Sequence, residues 1–268
     1  MKKLFQILLM LFVSPALLLA LETSAVKSLS VRINKYSDLA QLHLQRAKLY
    51  RADKQLQKAS FDLSRAVVIN PNLEEAQFAL AEVLLEEGKR DEALKQLEGF
   101  IKLSKQKRLL LKSYELLGDI YMIEKRYQEA LKQYQEVFKI AAVNKQVYYI
   151  KASEAYYELG NFRQSIRVLK EGLSSMIDKE LLREKMVDIS VNEGHYTLAL
   201  SVLDEMLKTN GNNAQLYYKR AKVLKEQGKI KEMKKAIKNA NLALMKKPIN
   251  TKQSAEIQKQ LKQLYAGL

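Results

Sequence analysis

The 268 residues contain no cysteine and no tryptophan, only two histidines, three prolines and nine glycines. Without cysteine there are no disulfides and no thiolate zinc sites, and two histidines do not make a replacement ligand set, so neither metal nor other cofactor is expected. Scarce glycine and proline leave too few turn residues for a many-stranded sheet. Leucine, lysine, alanine, glutamate and glutamine, all good helix formers, dominate instead. No His-Glu-x-x-His, Gly-x-Ser-x-Gly, P-loop or dinucleotide fingerprint occurs, so nothing converges on catalysis or on a small-molecule substrate. The expectation is an all-α, non-enzymatic chain whose stability comes from packing.

Against these absences stand 47% apolar and 28% charged residues, the mixture of a folded, water-soluble protein. The formal net charge of +16 reads as a lysine-rich solvated surface, with a polyanion partner as the alternative.

Met1-Lys2-Lys3 precedes an uncharged run from Leu4 to Leu21 and then Thr23-Ser24-Ala25, a small-x-small triplet of the kind a signal peptidase cuts. Residues 1–25 read as a secretory signal, with a mature chain starting near Val26 and a polar lead-in over residues 26–38. An uncleaved anchor over residues 4–21 is the alternative, because such a helix would reach about 27 Å at roughly 1.5 Å per residue. Ser14-Pro15 interrupts the run and favours cleavage. No cysteine follows, which excludes a lipid-anchored lipoprotein. The short two-lysine start points to a bacterial envelope route, so the chain is expected to be exported, periplasmic or secreted.

Beyond this segment the sequence repeats. Ala59, Ala93, Ala130, Ser165, Ala199 and Met233 follow one another at intervals of 34, 37, 35, 34 and 34 residues. Gly88, Gly160, Gly194 and Gly228 each stand five residues before their landmark, with Lys125 in that place in the third repeat. Between landmarks the apolar residues recur three and four apart: Tyr114, Leu117, Gly118 and Tyr121 on one stripe, then Tyr127, Ala130, Leu131, Tyr134, Val137 and Phe138 on another. Each repeat is therefore helix, tight turn, helix. A glycine at the first helix's end permits a left-handed cap, and a small residue early in the second lets two backbones approach.

This pattern resembles the tetratricopeptide repeat family, which places an aromatic, Leu-Gly and Tyr on the first helix and Ala and Phe/Tyr on the second. Six repeats keep it in register, from Ala47, Tyr50 and Ala59 in the first to Tyr217, Ala221, Leu224 and Gly228 in the sixth. The resemblance implies a right-handed superhelical solenoid of six helix-turn-helix units over residues 39–248. A closing helix over 249–268 carries Ala255, Ile257, Leu261 and Leu264 at helical spacing. Extra residues around Leu103 to Lys107 imply a longer helix or loop there.

The resemblance further implies that the first helices line a concave groove for a protein or peptide partner. The groove-facing places hold Phe78 and Glu82, Glu115 and Asp119, Ile150, Glu154 and Tyr157, Asp188, and Tyr218. In repeats two to five the middle place is acidic (Glu82, Asp119, Glu154, Asp188), which suggests a basic or apolar partner segment; the alternative is an ordinary charged helix surface. The family's carboxylate clamp needs lysine and asparagine at these places, so a chaperone-tail adaptor is not expected. Tyr148, Tyr157 and Tyr218 fall off the packing stripes and are candidate ligand anchors. His43 is expected as a packing residue that meets no carboxylate, and His195 as a solvent-facing turn residue.

Basic charge concentrates elsewhere. Between Lys219 and Lys247 there are eleven Lys or Arg against Glu226 and Glu232, including Lys222, Lys225, Lys231, Lys234, Lys235 and Lys238. Such a cluster suits a membrane surface or an anionic envelope polymer, or is simply a solvated face. No nucleic acid is expected, because no base-stacking module is present.

Overall fold

The computed structural model describes residues 15–140, 145–175, 179–246 and 251–266, with backbone alone for 15–23 and Thr251. Met1-Lys2-Lys3, the start of the apolar run, Lys247 and Pro248 lie outside the described residues. Among the described residues there are helices and no strand. They are α1 (Pro15–Lys35), α2 (Ala40–Ala52), α3 (Leu56–Ile69), α4 (Glu74–Glu86), α5 (Arg90–Leu103), α6 (Lys107–Ile123), α7 (Tyr127–Ile140), α8 (Gln146–Glu158), α9 (Phe162–Ser175), α10 (Glu180–Asn192), α11 (Tyr196–Thr209), α12 (Ala214–Glu226), α13 (Ile230–Lys246) and α14 (Thr251–Ala266). The chain forms two compact units, one ending at Glu124 and one beginning at Lys125.

In the first unit α2 pairs with α3 and α4 with α5, each hairpin packing on the next, and α6 lies on α4 and α5. The second unit pairs α8 with α9, α10 with α11 and α12 with α13 in the same way. Every small-residue landmark is completely buried: Ala59, Ala93, Ala130, Ser165 and Ala199 are all at 0% exposure, and so is Met233, whose unbranched chain fits where the other repeats carry a small residue.

The turns explain the glycine spacing. Gly88, Gly160, Gly194 and Gly228 have φ between 71° and 81°, the left-handed region that glycine enters without a Cβ penalty. The residue after each donates its N–H back to the carbonyl five residues earlier, as Lys89 does to Leu84 at 2.9 Å and Asn161 to Tyr156 at 2.9 Å. Lys125 shares the conformation at φ 59°, and so does Lys54 at φ 57°, at the end of the first repeat's first helix.

Helix lengths carry the rest of the periodicity. α2, α4, α8, α10 and α12 are each 13 residues long. α3, α5, α7, α9 and α11 are each 14. The 37-residue interval is absorbed by α6, which runs to 17 residues, and by a short linker before it. Glu74 holds that linker: its carboxylate accepts a hydrogen bond from the Ser104 hydroxyl and one from the Lys105 N–H at 3.4 Å.

The lead-in departs from expectation. Residues 26–35 of the polar lead-in are helical and packed, because Leu29 and Ile33, four apart, present one narrow apolar stripe that buries against Leu42 with Leu49 beside it. At the other end α14 closes the array as expected through Ile257 and Leu261, exposed by 1% and 2%, while Ala255 faces solvent. Among the described residues no helix is long and apolar enough to cross a membrane.

Candidate functional site

The groove-facing places fall into two sets, one per compact unit. In the first, Glu82 on α4 is half-buried and accepts a hydrogen bond from Arg51 of α2 at 2.7 Å, while the same guanidinium also donates to Glu86 at 2.7 Å. Burial opposes the Arg51 charge, but the hydrogen bonds to Glu82 and Glu86 outweigh it and raise the pKa further. Lys48 of α2 pairs with Glu75 of α4 at 2.7 Å. Glu115 and Asp119, both on α6, are each engaged with neighbouring groups.

Phe78 is buried and lines the floor of a small recess rather than standing out from the helix. It is 4% exposed and its ring packs 6.2 Å from Phe100, with the Lys112 ammonium 5.8 Å from the centroid. A recess of about 140 Å³ remains beside it, lined by Lys48, Arg51, Glu75, Arg108 and Lys112 among others. Its charge is mixed rather than acidic.

In the second unit Ile150, Tyr157, Val191 and Tyr218 are partly buried, each with one side against the core. Glu154 of α8 pairs with Lys185 of α10 at 2.5 Å, and Glu184 of α10 accepts from Lys219 of α12 at 2.6 Å. Asp188 is exposed. Two of the four acids predicted as an open row, Glu82 and Glu154, are therefore neutralised by a cation from the neighbouring first helix. The partner cations lie in the adjacent repeat, 31 residues away in both cases, so periodic reading of one repeat at a time misses them. Burial pushes the Tyr218 phenol up, and Glu256 of α14, the helix that packs on α12, adds to the shift. Tyr148 is 2% exposed and belongs to the core, not to a ligand surface.

The basic cluster divides as well. Lys219 is held by Glu184 and Arg220 by Asp204 at 2.7 Å. Lys222, Lys231, Lys234, Lys235 and Lys238 are exposed, and Lys225 is half-exposed.

Both histidines have partners. His195, exposed at the start of α11, stacks on Phe162 with centroids 4.2 Å apart and an interplanar angle of 18°. His43 is buried as expected, but a carboxylate does meet it: Asp62 Oδ1 lies 3.2 Å from its Nδ1. Asp62 is 0% exposed and accepts two hydrogen bonds from Arg46, each 2.7 Å long, and Arg46 also donates to the Ser30 hydroxyl of α1 at 2.9 Å. Hydrogen bonding to Asp62 raises the Arg46 pKa. This network ties α1, α2 and α3 together. Its one sequence signal is an aspartate three residues after Ala59, on a stripe otherwise apolar. Among the described residues no group of three His, Asp or Glu side chains is placed to hold a metal ion.

Residues 23–155 match the family described as the tetratricopeptide repeat-like domain. No curated protein matches the chain in sequence. Among solved structures the chain is similar to the C-terminal part of a TPR repeat-containing protein from Cytophaga hutchinsonii, at 13% identity over 88% of this chain and 94% of that one, with a TM-score of 0.68. It is also similar to a tetratricopeptide repeat protein from Parabacteroides merdae, at 18% identity over 90% and 92% of the two chains, TM-score 0.54. PilF of Pseudomonas aeruginosa gives 18% identity over 83% and 98%, TM-score 0.53. At these identities the likeness carries the fold and nothing finer.

Proposed function

We propose that this chain, a tetratricopeptide-repeat protein, is a non-enzymatic scaffold that holds a segment of another protein in the groove lined by its first helices. The observation that carries the reading is the surface of α8, α10 and α12. Ile150, Tyr157 and Val191 are apolar and only partly covered there, and the ion pairs Glu154–Lys185 and Glu184–Lys219 flank them. An apolar centre with a charged rim is the anatomy of a protein-binding patch. Because the rim acids are paired, apolar contact contributes most of the affinity, and exposed Asp188 favours a partner with a cation at that point. The export reading places this scaffold in the bacterial envelope. It rests on the apolar run and the small-x-small triplet before Val26, and N-terminal sequencing of the protein from its native host tests it: a start near Val26 supports export with cleavage, and an intact Met1 in the membrane fraction supports an anchor.

The binding reading is tested by cross-linked recovery from intact cells with wild type and Tyr157→Ala/Val191→Asp, two partly exposed positions. Partner recovery is expected to fall at least about tenfold; both side chains also rest on the core, so some loss of melting temperature is expected, and a variant still folded at the temperature of the assay shows that the loss of recovery is not unfolding. Equal recovery from both proteins would remove this surface from consideration. A second reading, contact with a membrane surface or anionic polymer, is favoured by the exposure of Lys222, Lys231, Lys234, Lys235 and Lys238. Salt separates the two, since polyanion affinity falls steeply with ionic strength and an apolar contact barely moves.

A further inference from the structure

α2, α4, α8, α10 and α12 each pack on the second helix that follows them, and among the described residues no helix follows α14. α10 packs on α8 and α9 of the preceding hairpin and is covered by its own second helix, α11. α14 packs on α12 and α13 in the same manner, and among the described residues nothing takes the place of α11. Counted from their first residues, the eighth and eleventh positions of α10 are Val187 and Ser190, both buried. The eighth, eleventh and fifteenth positions of α14 are Gln258, Leu261 and Tyr265, and all three line an open groove of about 730 Å³ between α13 and α14. The face that elsewhere receives a second helix is thus left open here.

The lining fits an amphipathic helix of one charge sign. Leu242, Met245 and Tyr265 stand in the groove with 45%, 79% and 53% of their surface exposed, and Ile237 and Leu261 form its floor. The charged groups along it are Lys234, Lys238 and Lys262, with no carboxylate among the lining residues, and the Lys234 ammonium lies 5.6 Å from the Tyr265 ring centroid. A second copy of this chain would bring lysines against lysines. A bilayer would meet Met245 and Tyr265 but not Ile237 and Leu261 on the floor between the two helices. We propose that the groove between α13 and α14 docks an amphipathic helix of another protein, apolar along one stripe and acidic on its flanks, in the place of a seventh repeat's second helix. This site lies on other helices than the α8–α10 surface, and neither reading depends on the other.

The test uses the full chain and three acetylated, amidated peptides of 14 residues, the length of the second helices α9 and α11. One has a leucine stripe at helical spacing flanked by glutamates, the second replaces those glutamates with lysines, and the third scrambles the first. Binding is followed by fluorescence anisotropy at physiological ionic strength. The acidic helix is expected to bind at least about tenfold more tightly than either control. Leu242→Asp/Met245→Asp should remove that binding without lowering the melting temperature, since both side chains are exposed, and Lys238→Glu/Lys262→Glu should turn the preference toward the lysine peptide. Equal binding of the scramble would reduce the effect to surface charge and overturn the proposal, as would failure of all three peptides to bind. Two further results would replace the occupant: co-sedimentation with phosphatidylcholine–phosphatidylglycerol vesicles that is lost in Leu242→Asp/Met245→Asp would assign the groove to a membrane, and self-association lost in that variant would assign it to a second copy.

Discussion

Six turns in the array use one left-handed residue each, and two of those residues are lysines. An L-residue with a Cβ in that conformation costs on the order of 1 kcal/mol relative to glycine, partly offset by the freedom glycine adds to the unfolded chain. Lys54→Gly is therefore expected to stabilise the protein by about 0.5–1 kcal/mol, and Gly160→Ala, at φ 72°, to destabilise it by a similar amount; urea denaturation midpoints check both. Four of the turns were legible as glycines, whereas Lys54 carries no residue-type signal and only its place in the repeat marks it. The buried Asp62 was less legible still, since its partners Arg46 and His43 lie 16 and 19 residues away on another helix. Asp62→Ala should cost about 3 kcal/mol, the lower part of the range for breaking a buried pair, because Arg46 keeps 15% of its side chain in solvent. Replacing both partners together, Arg46→Met with Asp62→Leu, should recover much of that loss, and a double-mutant cycle measures how much.

At the scale of the helix, hydrophobic periodicity identified every repeat's pair of helices, because each buries a stripe wide enough to be seen in sequence. It failed on residues 26–35 of α1, whose buried stripe is only Leu29 and Ile33, and it could not say which helix faces are tight. Two mid-helix glycines make the difference concrete. A Cβ at Gly99 on α5 would meet nothing within 4 Å, so Gly99→Ala should gain up to about 1 kcal/mol from helix propensity alone. A Cβ at Gly172 on α9 would lie 2.8 Å from Tyr149 Cγ and 3.0 Å from Leu182 Cδ1. Neither the ring root nor a fully buried leucine moves easily, so Gly172→Ala should lose about 1–3 kcal/mol despite the same propensity gain. Thermal melts of the two variants should shift in opposite directions. The linker before α6 supplies a pH dependence: hydrogen bonding from Ser104 holds the Glu74 carboxyl below its ordinary range, so its grip on the linker is present at neutral pH and is lost as pH falls through that lowered value. Trypsin cleavage after Lys105 is expected to be faster in Glu74→Ala than in wild type.

For the molecule as a whole, each repeat is stabilised by its neighbours, so an end that lacks one must be covered. The first hairpin is covered by α1: Leu29 and Ile33 close over Leu42 and Leu49, and Ser30 accepts from Arg46. All of these contacts lie after Thr23-Ser24-Ala25. A chain that starts at Val26 keeps every one of them, and its melting temperature is expected to equal that of the full chain. A chain that starts at Tyr36 loses the two buried side chains and opens the Arg46–Asp62 pair to water. Full burial of a leucine or isoleucine stabilises by about 1.5–3 kcal/mol, and the conformational entropy of ordering the helix offsets part of it. The net loss should then be on the order of 2–4 kcal/mol, concentrated at one end. Hydrogen exchange should resolve it by position: the amides of α2 and α3 lose protection first in the shorter chain, while those of α12 and α13, which touch none of the deleted residues, keep theirs. If the Val26 chain were destabilised as much as the Tyr36 chain, the earlier turns of α1 would be part of the cap, and cleavage at the small-residue triplet would be incompatible with a stable array.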